Sequence, residues 1–132
     1  MPRPEEVHAI RRLLEAFNRG DFAALNELDG EAEIQDETRI PDGGWNYGHR
    51  GAVDWAVKLW ESFGRLSFEI AEPVEVGPCV VVRWRAWGEG KRSGVAVDMD
   101  GYCVFTMRLG KVRRVEFYTS RREALEAARP GR

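Results

Sequence analysis

The sequence predicts an α+β fold, with amphipathic helices packed on a sheet of consecutive antiparallel strands. Two observations carry this reading. Two alternating runs between Val95 and Tyr118 meet at Arg108-Leu109-Gly110-Lys111. Gly110 can take the positive φ of a tight turn, and β-branched and aromatic residues flank it, so this stretch is a hairpin. Ahead of Gly64, by contrast, apolar residues recur mostly at helical spacing. A strongly twisted sheet wrapped on N-terminal helices makes a cone, and its open end is a pocket.

Pro4-Glu5-Glu6 opens the first helix, because proline suits the first turn and acids there oppose the helix dipole. Val7, Ile10, Leu14 and Phe17 form its apolar stripe, with Leu13 beside them. Gly20 fits the C′ position that ends it. Asp21 is then the expected N-cap of a short second helix, Phe22 to Leu28, which Asp29-Gly30 breaks. Ala32 to Asp36 reads as a first strand. A polar excursion from Glu37 to Arg50 follows, with Trp45, Tyr47 and His49 on alternate positions of a short strand. Gly51 precedes the third helix, striped by Val53, Ala56, Val57, Trp60 and Phe63, flanked by Trp55 and Leu59, and stopped at Gly64.

Leu66 to Val76 is a strand interrupted at Pro73, which points to an edge or a bulge. Val80 to Trp87 places Val80, Val82, Trp84 and Ala86 on one face, and Arg83 and Arg85 on the other. A loop from Gly88 to Gly94 leads into the hairpin. Its dry face carries Cys103, Phe105, Met107 and Leu109, then Val115 and Phe117. Ser120 and Glu123 form a capping box for a last helix, Arg121 to Ala128, and Pro130-Gly131-Arg132 is tail.

With 132 residues, the chain is expected to be one domain, 1–132, large enough for a real core. Its net charge of −2 comes with no basic stripe, which argues against nucleic acid. No apolar run is long enough for a membrane span, and the N-terminus lacks the apolar core of a signal peptide, so a cytoplasmic protein is expected. Cys79 and Cys103 read as two reduced, buried thiols. Two histidines and no clustered cysteines give no metal site, and no glycine-rich loop has the strand-turn-helix context of a phosphate cradle, so no cofactor is expected.

The chain resembles the nuclear transport factor 2-like superfamily, in particular its SnoaL-like and ketosteroid-isomerase-like members. The resemblance runs nearly the whole length. It rests on Ala16-Phe17-Asn18-Arg19-Gly20-Asp21 between two helices, on Leu28, and on Ala32 to Asp36. Gly51, Ser93-Gly94, the Arg-Leu-Gly-Lys turn and Phe117 to Leu125 follow in order. It implies a cone-shaped, cystatin-like roll around a hydrophobic cavity, with a homodimer through the outer sheet face. It implies no single activity, because isomerases, dehydratases, epoxide hydrolases, polyketide cyclases and non-catalytic binding proteins share the fold.

By this resemblance Asp36 falls where the isomerases place their general base. Independently, a carboxylate at the mouth of an apolar cavity suits proton transfer, because desolvation disfavours the charged form. His49 and Tyr47 are the second catalytic group, since a histidine near the mouth can act as acid or base near neutral pH. The chain departs from the isomerases at their oxyanion-hole tyrosine and sheet acid, where it carries Leu13 and Cys103. Without those donors a developing enolate lacks its main electrostatic support. The expected pocket lining is Phe17, Trp45, Trp55, Leu59, Phe63, Trp84, Cys103, Phe105, Val115 and Phe117, for a small hydrophobic molecule. Two functions stand side by side: cofactor-free proton transfer by Asp36 (isomerase, cyclase, dehydratase or epoxide hydrolase), and a non-catalytic ligand-binding or dimeric module.

Overall fold

In a computed structural model, the described residues are 4–36, 44–63, 66–90 and 94–129. The expected helix stop at Gly64, the first half of the polar excursion (37–43), the middle of the loop before the hairpin (91–93) and the tail lie outside them. The elements run α1 (Pro4–Arg19), a 3₁₀ segment (Phe22–Glu27), β1 (Glu33–Gln35), β2 (Trp45–Tyr47), α2 (Gly48–Phe63), β3 (Ser67–Val76), β4 (Cys79–Glu89), β5 (Ala96–Arg108), β6 (Lys111–Tyr118) and α3 (Arg121–Ala128). The chain is thus α+β, with one six-stranded sheet in the order β2-β1-β6-β5-β4-β3.

The hairpin is the long centre of that sheet. Leu109 and Gly110 both have positive φ, 52° and 78°, the signature of a type I′ turn that matches strand twist. Leu109 therefore sits at the tip and is 96% exposed, rather than on the dry face where strand alternation would put it. Cys103 pairs with Phe117 and Phe105 with Val115, so these four side chains share one face. β3 is an edge strand as expected. Its register slips between Ala71 and Val74, around Pro73, and Glu72 has a φ of 53°.

One pairing departs from the expected antiparallel run. β1 lies parallel to β6, with Ile34 beside Val115. It joins the sheet at the last strand, a long-range partner that no local pattern encodes. Gln35 reinforces this short contact: its side-chain oxygen accepts from the Phe117 N–H at 2.9 Å.

Three local expectations also change. Phe22–Glu27 is a 3₁₀ helix, and the Asp21 side chain makes no capping bond to it. At φ −85° and ψ 78°, Asp21 lacks the extended geometry of an N-cap. Helix α2 starts at Gly48, ahead of Gly51, because the Gly48 N–H is held by the Ala32 carbonyl at 2.7 Å. Its buried face is Ala52, Ala56 and Leu59, while Val53 and Val57 are half-buried. The two alanines let the helix sit close to the core.

Asn18 ties α1 to the edge strand. Its amide donates to the Phe68 carbonyl at 2.9 Å and accepts from the Phe68 N–H at 2.8 Å. α3 covers part of the outer sheet face. Ser120 Oγ accepts from the Glu123 N–H at 3.1 Å, as the capping signal predicts. Ala124 and Ala128 pack there with Cys79, Val81 and Val104. Both cysteines are free and buried.

Candidate functional site

The inner face of the sheet and the helices enclose an apolar cavity of about 70 Å³. Alternation along the strands aims Trp84, Cys103, Phe105, Val115 and Phe117 into it. Helical spacing brings Leu13, Leu14 and Phe17 from α1, and Trp55 comes from α2. Leu25, Leu28, Ile34, Phe68, Ile70 and Val112 complete the wall. Ring contacts fix the aromatic part. Phe17 meets Phe68 edge-on at 5.1 Å, Phe68 lies 6.1 Å from Trp84, and Trp84 meets Phe117 edge-on at 5.8 Å.

Trp84 occupies space that Gly101 leaves. The two residues are directly opposite in the β4–β5 pair. A Cβ on Gly101 would stand 3.1 Å from Trp84 Nε1 and 3.0 Å from the Tyr118 carbonyl oxygen. A glycine inside a strand here marks the close approach of a large ring.

A second cavity of about 20 Å³ lies behind the first, and Trp55, Phe68, Trp84 and Phe117 wall both. Leu59 and Phe63 line this smaller space rather than the main one. Outside, a cleft of about 280 Å³ between α1 and β3 carries Arg11, Glu15, Asn18 and Glu69, and it shares Leu14, Phe68 and Ile70 with the main cavity. The main cavity is smaller than the roughly 300 Å³ lower bound of drug-sized sites. A molecule that fitted it with the aromatic walls in place would have to be small.

Of the ten residues expected to line the pocket, seven line the main cavity, Leu59 and Phe63 line only the smaller one, and Trp45 lines neither. Its ring lies under the Arg114 guanidinium at 4.5 Å, which draws it to the β1–β6 side. The expected catalytic group is also not gathered at the cavity. Tyr47 is 65% exposed at the end of β2. His49 does not continue that strand. It lies in the first turn of α2, and its Nε2 is 2.7 Å from the Leu28 carbonyl oxygen. A carbonyl only accepts, so Nε2 carries the proton and the ring braces the cavity wall from behind.

Asp36 follows Ile34 by two residues but does not line the cavity. Its Oδ2 accepts from the Gly44 N–H at 2.9 Å and its Oδ1 from the Asn46 amide at 3.2 Å. Its own N–H donates to the Gly44 carbonyl at 2.7 Å. Asp36 thus closes the β1–β2 hairpin with backbone and side chain together.

Leu13 and Cys103, the two departures from the isomerase pattern, both face the cavity. Burial pushes the Cys103 thiol well above its ordinary range, and the nearby Glu116 charge adds to this. Such a thiol is a small apolar wall, not a nucleophile. Among the described residues no group of three histidine, cysteine or acidic side chains could hold a metal ion. None of their helices is long and apolar enough to cross a membrane.

Sequence reasoning missed several wall residues. Phe68 and Ile70 alternate along β3, and that signal was available. Leu25, Leu28 and Val112 enter through the 3₁₀ turn and through a register shift between Thr106 and Met107. Asp29 was missed as an anchor. Only 8% exposed, it takes two bonds from the Arg108 guanidinium, at 2.8 and 2.6 Å, and one from the Glu31 N–H at 2.8 Å. That pair ties the loop before β1 to the end of the hairpin.

No curated protein matches the sequence. Solved structures share its fold. TerC, co-crystallised with polyporic acid, is 23% identical over 94% of this chain and 98% of that one, with a TM-score of 0.75. A candidate SnoaL-like polyketide cyclase from Jannaschia sp. is 20% identical over 100% of this chain and 98% of that one, with a TM-score of 0.75. A ketosteroid isomerase-like protein from Catenulispora acidiphila, in complex with trimethylamine, is 16% identical over 96% and 94%, with a TM-score of 0.75. The family model for the SnoaL-like domain matches residues 10–115. The chain belongs to the SnoaL-like domain family, within the nuclear transport factor 2-like fold.

Proposed function

We propose that this chain binds a small, largely apolar molecule in its inner cavity and releases it unchanged. The chemistry of the wall carries this reading. All fifteen described lining residues are aliphatic or aromatic, except for the Cys103 thiol. No acid or base stands among them to move a proton. Two neighbours of the same fold were crystallised with small molecules, polyporic acid and trimethylamine, which supports a small-molecule ligand for this chain.

A second reading is polyketide cyclase-type proton transfer by Asp36, with Tyr47 and His49 nearby in sequence. The observation favouring it is that Asn46 and Gly44 hold the Asp36 carboxylate in one orientation, two residues beyond the lining residue Ile34. Held groups of this kind are what catalysis requires.

One experiment separates the two. The protein is purified from its native host, and any bound molecule is identified by mass spectrometry and re-incubated with fresh protein. Quantitative recovery of the unaltered molecule supports binding. Conversion by the wild type that Asp36→Asn abolishes overturns it in favour of the cyclase-type reading. A homodimer through the outer face also belongs to the proposal. The half-exposed Arg83–Asp100 and Arg85–Asp98 pairs, at 3.0 and 2.9 Å, offer that face matched charges. A monomer mass by light scattering at tens of micromolar protein would exclude a tight dimer.

A further inference from the structure

We infer that ligands enter the inner cavity through the seam between α1 and β3, and that Leu14 and Ile70 form a gate there that admits small neutral molecules. The inference rests on the binding reading above and extends it from the site to its approach. Leu14, Phe68 and Ile70 line the inner cavity and also floor the outer cleft of about 280 Å³. The partition between the two spaces is therefore one side chain thick. Burial agrees. Among the residues that line the cavity, Leu13, Leu14, Trp55, Phe68 and Ile70 are half-buried and the others are buried. Of these, all but Trp55 belong to α1 and β3, so the seam is where the wall meets solvent.

The spacing of the chain places the gate. Asn18 grips the Phe68 backbone with two hydrogen bonds, at 2.9 and 2.8 Å, and pins one end of the seam. Leu14 stands four residues before Asn18, on the same face of α1, and Ile70 stands two residues after Phe68, on the same face of β3. They are the first pair beyond the pin. No strand flanks β3 on this side, because it ends the sheet. Just past Ile70 its register slips, between Ala71 and Val74, and Glu72 has a φ of 53°. The seam is held at Asn18 and least supported at Ile70.

The two sides of the partition select what passes. Arg11, Glu15 and Glu69 stand at the outer rim, and each is exposed. Past them, the described residues of the partition and the cavity wall are apolar. A charged molecule crossing the partition would leave its water and the rim charges behind, with nothing inside to offset the loss, so the gate passes neutral molecules. Rotation of the Leu14 and Ile70 side chains opens the way without disturbing the sheet or the Asn18 clamp.

The test uses fluorobenzene as the probe, with its entry and exit rates read by ¹⁹F exchange spectroscopy. Glu15→Trp adds bulk at the exposed rim, outside the cavity wall. It alters the route and neither end state, so entry and exit should both slow by about fivefold with the affinity held, whereas Arg122→Trp, at an exposed site on α3, should leave both rates within about twofold of the wild type. Ile70→Ala thins the partition and should speed entry by about fivefold or more, whereas Val115→Ala, which trims the wall away from the cleft, should act on exit and keep entry within about twofold. Entry rates within about twofold of the wild type in both Glu15→Trp and Ile70→Ala would overturn the gate while leaving the cavity a binding site. If fluorobenzene does not bind the wild type saturably, the binding reading itself fails and takes the inference with it. Should Ile70→Ala not fold, Glu15→Trp, at a surface position, decides alone.

Discussion

The two faces of β4 and β5 are built from the same two strands and do opposite things. Inward, Val80, Val82, Trp84 and Ala86 meet Cys103, Phe105 and Met107 in one buried cluster. Large rings on this side cannot close on one another completely, and the space they leave is the cavity. Outward, the face is divided. At one end Cys79, Val81 and Val104 lie under Ala124 and Ala128 of α3. At the other end Arg83, Arg85, Asp98 and Asp100 form an open ladder of ion pairs. Ring size decides the difference: alanines let a helix lie flat on the sheet, whereas tryptophans and phenylalanines hold the opposite layer away. A cavity here is therefore a consequence of side-chain shape, not of a missing element.

The comparison breaks first at Trp84. Trp84→Ala should lower unfolding free energy by about 3–5 kcal/mol, the usual cost of emptying a large aromatic site. Chemical denaturation checks this, and a loss below about 1 kcal/mol would mean that the inner layers collapse to fill the gap. Next comes the closely packed outer face. Ala124 is fully buried, so Ala124→Leu should cost about 1–3 kcal/mol through overpacking. A neutral result would show that α3 is loosely seated.

The smallest effects concern charge. The Arg108 guanidinium holds the Asp29 carboxyl below its usual range, helped by the Glu31 N–H. Its folded pKa is thus lower than its unfolded one. That contribution is complete above the unfolded carboxylate value of about 3.9 and is lost as pH falls through the folded value. Urea midpoints followed from pH 7 to pH 2 should therefore decline less steeply below about pH 4 in Asp29→Asn than in the wild type. Arg85→Gln on the open ladder should leave the midpoint at neutral pH within error, since exposed pairs are screened by water and salt. An Arg85 effect as large as that of Asp29→Asn would show that the outer ladder is covered in solution, as a dimer would require.

Much of this was legible before any coordinates. The hairpin, its turn, the bulged edge strand, the inward set Trp84, Cys103, Phe105, Val115 and Phe117, and the Ser120 cap all follow from spacing and turn chemistry. The site was less legible where backbone geometry intervened. Trp45, Tyr47 and His49 alternate as a strand would, yet the chain turns into α2 at Gly48 and carries His49 behind the wall. The Asp29–Arg108 pair joins residues 79 apart in sequence, and no local signal links them.

Sequence alone determined which residues are apolar and with what period. That decides secondary structure and the face each side chain presents, because period and face are properties of a single element. Tertiary structure decided what those faces enclose. Whether Asp36 opens onto the cavity or closes a hairpin depends on Gly44 and Asn46 reaching it across the turn. Whether His49 continues β2 or turns to the Leu28 carbonyl depends on where the chain enters α2 at Gly48. Both are outcomes of packing between elements distant in the chain, which is where a pattern read along the sequence stops carrying information.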